Sequence, residues 1–179
     1  FPVEAAFVSK FSADGRDLLY TTFLGPTGLG DAFPSIPVTS VPMGLAVDSG
    51  GYIYLTGNTW DDQFPTTPGA HSTSFVLGES EAFVSKISPA GDKLIWSSFL
   101  GSDDEEFGFS PAIDTAHDIA VAGDGSVYVT GSAEGSYFPT TTGAFQTSND
   151  GSADAFVAKF LPDGSDLDWA TYLVGSGSD

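Results

Sequence analysis

One stretch of about twenty residues is written three times along the chain, and that repetition limits the fold more than any other feature. It reads AFVSKFSADGRDLLYTTFLG from Ala6, AFVSKISPAGDKLIWSSFLG from Ala82, and AFVAKFLPDGSDLDWATYLVG from Ala155. The offsets are 76 and 73 residues. A second unit lies between the copies: AVDSGGYIYLTG at Ala46 to Gly57 returns as AVAGDGSVYVTG at Ala120 to Gly131, 74 residues later without an insertion. Two alternating units at a near-constant period are the signature of a repeat architecture.

Each unit reads as a β-hairpin. Ala6 to Phe11 alternates and is followed by Asp14-Gly15, a pair suited to a tight turn, and then by LLYTTFL, rich in aromatic and β-branched residues. The second unit turns at Ser49-Gly50-Gly51 and again at Gly123-Asp124-Gly125. The expected hairpins are 6–24, 45–56, 82–100, 119–130 and 155–173, ten strands in all. Pro26 to Pro42, dense in Gly, Pro, Thr and Ser, reads as a long connection. Asp114 to Ala120 is assigned a short turn of helix before its strand. Phe64-Pro65 and Phe138-Pro139 recur at the 74-residue offset and are read as anchors holding their loops to a sheet edge, with the prolines fixing the departure angle.

Two hairpins per period make four antiparallel strands, the content of one propeller blade. The fold class is therefore all-β, with about two and a half propeller-type blades in this chain. A β-helix is the alternative, disfavoured by the Asp-Gly and Gly-Gly turns. The domain reading is one repeat domain over 1–179, with a half blade at 5–25 and hairpins at 45–57, 82–101, 119–131 and 155–174. Ten strands do not close a ring. The third copy leaves that ring open, to be completed by a longer propeller or by further copies of the chain, including a filament of non-closing contacts. The start at Phe1 rather than Met points to a processed or excised piece.

Composition removes several function classes. With 24 acidic and 5 basic residues the formal net charge is −19, a field that repels nucleic acid and anionic membrane surfaces. There is no cysteine, which excludes disulfides, thiol catalysis and cysteine-ligated metal. No apolar run reaches the length of a membrane-spanning helix.

The combination of Ala46 to Gly57, Phe64 to Ala70, Ala82 to Gly101, Ala120 to Gly131, Phe138 to Phe145 and the copies at Ala6 and Ala155 resembles the SBBP repeat, a seven-bladed beta-propeller type repeat of secreted and surface proteins of bacteria and archaea. The resemblance implies an extracellular or cell-surface location and a structural or protein-binding role, most such proteins having no assigned activity. It also implies an acidic run after the FLG strand, matched here by Gly101-Ser102-Asp103-Asp104-Glu105.

Candidate residues follow from these patterns. Asp103, Asp104, Glu105 and Glu106 form the densest carboxylate run and are the candidate site for a hard cation, calcium being the one cofactor considered. The run lacks the alternating spacing of a dedicated calcium loop. Lys10, Lys86 and Lys159 occupy one repeat position and are read as strand residues that snorkel or pair with acids such as Glu81 and Asp154. Phe7, Phe83 and Phe156, Gly57 and Gly131, and the Phe-Pro pairs are structural repeat positions. No catalytic set emerges: His71 and His117 are the only histidines and lie at unrelated positions. The leading expectation is a non-catalytic module whose partner is protein. The other class is a carbohydrate-binding or hydrolytic propeller using carboxylates and the aromatics Trp60, Trp96 and Trp169.

Overall fold

The computed structural model describes residues 5–25, 39–75, 80–102, 113–134, 137–149 and 153–173. Ten strands run in order: β1 (Ala6–Phe11), β2 (Leu18–Leu24), β3 (Ser40–Val47), β4 (Ile53–Thr59), β5 (Glu81–Ile87), β6 (Leu94–Leu100), β7 (Thr115–Val121), β8 (Val127–Ala133), β9 (Asp154–Phe160) and β10 (Leu167–Leu173). They form three antiparallel sheets: β1-β2, β3-β4-β5-β6 and β7-β8-β9-β10. The protein is all-β, with sheets of the propeller-blade type.

Each four-stranded blade takes the second unit first and the thrice-written unit last. The inner hairpin β3-β4 joins the outer hairpin β5-β6, and β7-β8 joins β9-β10. The third copy therefore completes a blade. The first copy, β1-β2, is the one without an inner hairpin among the described residues. The outer hairpins share their geometry to the residue. Each has a register shift at its turn end, next to the pairs Phe11↔Leu18, Ile87↔Leu94 and Phe160↔Leu167.

Two expectations fail, both in the inner hairpins. Asp114 to Ala120 is not helical, because Thr115–Val121 is strand β7. A bulge between Ala116 and Asp118 shifts the parity of its side chains, so Ala116 and Ile119 are the buried pair. A three-residue spacing imitates a helical one. Ser40 to Pro42 likewise belongs to β3, not to the preceding connection. Pro42 is accommodated at the matching bulge between Pro42 and Gly44, where a missing N–H does least harm.

Alternation along the strands sends side chains into two cores. One, between the half blade and the first full blade, gathers Ala6, Val8 and Leu24 with Ile53, Leu55, Phe64, Phe83 and Phe99. The other joins the two full blades through Tyr54, Val84, Trp96 and Leu100 on one side and Ile119, Val129, Phe156, Phe160 and Tyr172 on the other. The first full blade is covered on both faces, and every residue of β4 is buried.

Candidate functional site

The joint between blades is built the same way twice. In the returning outer strand an aromatic residue reaches across to the outer turn of the following blade. The Tyr20 hydroxyl donates to the Pro89 carbonyl (3.3 Å), and the Trp96 indole N–H donates to the Pro162 carbonyl (3.2 Å). Each ring lies over a turn glycine with positive φ, Gly91 (73°) under Tyr20 and Gly164 (71°) under Trp96. A side chain at either glycine would meet the ring. Trp96 also stacks on Phe160, with centroids 6.0 Å apart and planes 21° off parallel. From the first full blade's loop, His71 adds a 3.2 Å contact from Nδ1 to Asp166 and an edge contact with Phe160.

Within each full blade the Phe-Pro loop fills the outer hairpin. Phe64 lies on Phe83 (4.5 Å) and Phe99 (6.0 Å), while Phe138 lies on Phe156 (4.3 Å) and Tyr172 (5.7 Å). These rings sit on the blade face. The residues after each proline run along the outermost strand: Thr67 N–H donates to Ser97 O and Phe99 N–H to Ser72 O, and Thr141 N–H donates to Ala170 O and Tyr172 N–H to Gln146 O. The loop thus covers an edge that would otherwise offer unpaired backbone groups to another chain.

Where the repeats stop, the same positions are bare. Phe7 is 61% exposed, against 0% for Phe83 and 1% for Phe156. Phe23, facing Phe7 across the hairpin, is 73% exposed, while its counterparts Phe99 and Tyr172 are buried. Leu45 on the inner strand is 54% exposed and its counterpart Ile119 6%. At the far end Trp169, the counterpart of Trp96, is 36% exposed, and Leu173 and Phe145 are exposed as well. Phe145 stands where His71 reaches the following blade. Both end faces are therefore apolar, and their composition is that of the interior joints.

The repeated lysines lie over aromatic rings. Lys10 is 5.9 Å from the Tyr20 centroid, Lys86 is 4.7 and 4.9 Å from Tyr52 and Tyr54, and Lys159 is 5.7 Å from Tyr128. Lys159 also pairs with Asp168 at 2.7 Å, which raises its pKa through the hydrogen bond to that carboxylate. Asp48 holds the first inner turn: Oδ1 accepts from Gly50 N–H and Tyr52 N–H, and Oδ2 from the Tyr54 hydroxyl. Burial opposes its charge, but these donors and Lys86 outweigh burial and hold its pKa below the usual range. Burial and the Asp48 carboxylate together push the Tyr54 hydroxyl upward.

Asp103, Asp104, Glu105 and Glu106 lie outside the described residues. Just before them, the buried carboxylates of Glu81 and Asp114 both approach Gly101, and Asp114 accepts a 2.6 Å hydrogen bond from Ser102 N–H. Among the described residues no three His, Asp or Glu side chains converge as a metal site. Asp61, next to Asp62 in the sequence, is buried. Oδ1 accepts from Gln63 N–H, Oδ2 has no partner, and burial raises its pKa. Of the tryptophans, Trp96 is enclosed in the joint, and Trp169 and Trp60 stand at the surface.

The joint residues were only partly visible in the sequence. Tyr20, Trp96 and Trp169 align across the three copies, but nothing in the local turn pattern marks Pro89 and Gly91, or Pro162 and Gly164, as the partners of Tyr20 and Trp96. A bulky aromatic in one copy paired with a Pro-x-Gly turn in the next was the available signal.

Residues 37–65, spanning β3, β4 and the first Phe-Pro step, match the family model of the SBBP beta-propeller repeat. That segment is similar to an SBBP beta-propeller repeat. That match covers the inner hairpin and its anchor loop, and β7, β8 and Phe138-Pro139 repeat the sequence pattern of the matched segment in the second blade. Comparison with curated proteins finds no match to the chain.

Proposed function

We propose that this chain is an extracellular or cell-surface structural and interaction module, without catalytic activity, whose propeller blades are continued by further blades at both end faces. The added blades come from a longer propeller or from further copies, giving a larger ring or a filament. The observation that carries this reading is the inequality of the repeats: Phe7, Phe23 and Leu45 are exposed where the same positions elsewhere are core. Exposed apolar surface with the composition of an interior joint is an association surface. The acidic charge keeps the rest of the molecule soluble and steers it away from phosphates. Location is supported by the family resemblance.

Sedimentation velocity over a wide concentration range, paired with electron microscopy, tests the reading. Concentration-dependent association that Phe7→Asp and Trp169→Ala each weaken is expected. A glycan array with and without calcium runs beside it. A compact monomer at all concentrations that cleaves or retains a polysaccharide overturns it.

A further inference from the structure

The half blade carries a specific acceptor site, and the two complete blades show what fits it. Among the described residues β1 pairs with β2 alone, whereas β5 and β9, its counterparts, each pair on their other side with an inner strand. Beside β1 lies a groove of about 250 Å³ whose lining includes Val8, Lys10, Phe11, Tyr20, Leu45 and Ile53. Three of these, Val8, Ile53 and Tyr20, also belong to or pack on the core between half blade and full blade, so the groove continues an existing interface. Two further surfaces are bare on the same hairpin: the Phe7–Phe23 ring pair, 6.5 Å apart, and the outer edge of β2 at Thr21 and Phe23.

We infer that this site binds a β-hairpin of the inner type followed by a Phe-Pro loop, the chemistry of residues 39–75 of this chain. The inference rests on the reading of the end faces as association surfaces and names what occupies one of them. The register of the occupant follows from the two internal templates. Val84 is paired with Thr56 and Phe83 with Gly57; Val157 is paired with Thr130 and Phe156 with Gly131. The occupant therefore places a threonine opposite Val8 and a glycine opposite Phe7.

The glycine is required by space. A side chain at Gly57 would collide with the Val41 carbonyl, and one at Gly131 with the Thr115 carbonyl and with the Phe156 ring at 2.7 Å. A tyrosine falls opposite Lys10, as Tyr54 does opposite Lys86 and Tyr128 opposite Lys159, and completes the cation–π contact seen in both blades. The occupant's phenylalanine closes the Phe7–Phe23 pair, and its following threonine caps the β2 edge at Thr21, the position of Ser97 and Ala170. Main-chain pairing supplies adhesion, and the Gly, Tyr and Phe positions supply selectivity.

The test uses the full chain and a version in which a second copy of residues 39–80 replaces residues 1–4 ahead of Ala5. Hydrogen exchange at β1 is compared in the two. Slowing of at least a hundredfold in the extended protein is expected, with loss of most of it when the added copy carries valine at its Gly57 position, and at least tenfold weaker protection for Phe7→Asp. A synthetic 39–75 segment added to the full chain is expected to bind saturably, and the valine-bearing segment at least tenfold more weakly. If the added hairpin gives β1 no protection while the full chain still associates through a Phe7-dependent contact, this inference is overturned and the interaction reading stands. If there is neither protection nor association, both fall.

Discussion

Gly15 and Gly164 occupy the same turn position at the same φ of 71°, but only Gly164 has a ring above it, so substituting both with alanine isolates the joint from the backbone. Gly15→Ala meets nothing within 4 Å and carries only the left-handed conformational cost, about 1 kcal/mol. Gly164→Ala carries the same cost and also brings Cβ within 2.8 Å of Trp96 Cγ, well inside van der Waals contact. Displacing the indole loses its hydrogen bond to Pro162, about 1 kcal/mol, and its stack on Phe160, about 1 kcal/mol. Gly164→Ala is therefore expected to be less stable than Gly15→Ala by about 2–3 kcal/mol, within the usual overpacking range. In urea, with a slope of about 2 kcal/mol/M, the circular-dichroism midpoints should differ by about 1 M. Adding Trp96→Ala to Gly164→Ala should cost much less than Trp96→Ala costs alone, because the collision is gone. Equal midpoints for the two alanine variants would refute the docking of Trp96 on the next turn.

Other consequences can be measured on the same material. Phe138→Ala removes a ring clamped between Phe156 and Tyr172 and should cost about 3–5 kcal/mol by urea unfolding, whereas Phe145→Ala, at an exposed position, should stay within about 0.5 kcal/mol. Gly131→Ala should be at least as damaging as Phe138→Ala, since its Cβ would enter both the Thr115 carbonyl and the Phe156 ring. Asp61 is a buried carboxyl whose folded pKa is raised, so ionisation works against the fold. Asp61→Asn keeps the acceptor for Gln63 and should stabilise the protein at pH 7. That gain should shrink as pH falls through the raised pKa and vanish near the unfolded value of 3.8. A Tm difference independent of pH would contradict the burial of Asp61.

The outer hairpins were legible almost to the residue, because their alternation, turn glycines and triple occurrence all specify one arrangement. Inner hairpins were harder to bound. Pro42 looks like a breaker until its bulge is seen, and the Ala116–Ile119 spacing looks helical until the parity shift at Asp118 is known. Phe64 and Phe138 were recognisable as anchors, but the surface they fill is set by the path of a loop, which has no side-chain period to read. Asp61 lies between an exposed Trp60 and a second acid, Asp62, and nothing in that local pattern marks it as buried. The docking of Trp96 on Gly164 and of Tyr20 on Gly91 joins residues roughly 70 apart and depends on the rotation between blades, which no local pattern records.

The most direct measurement is residue-resolved hydrogen exchange of the monomeric chain, comparing the three copies of the outer hairpin strand by strand. Sequence similarity alone would give β1, β5 and β9 the same protection. The account predicts that β5 and β9 are protected and that β1 exchanges orders of magnitude faster along the edge that lacks an inner strand. Protection of β1 equal to that of β5 and β9 in the monomer would contradict the half blade and the open face built on it.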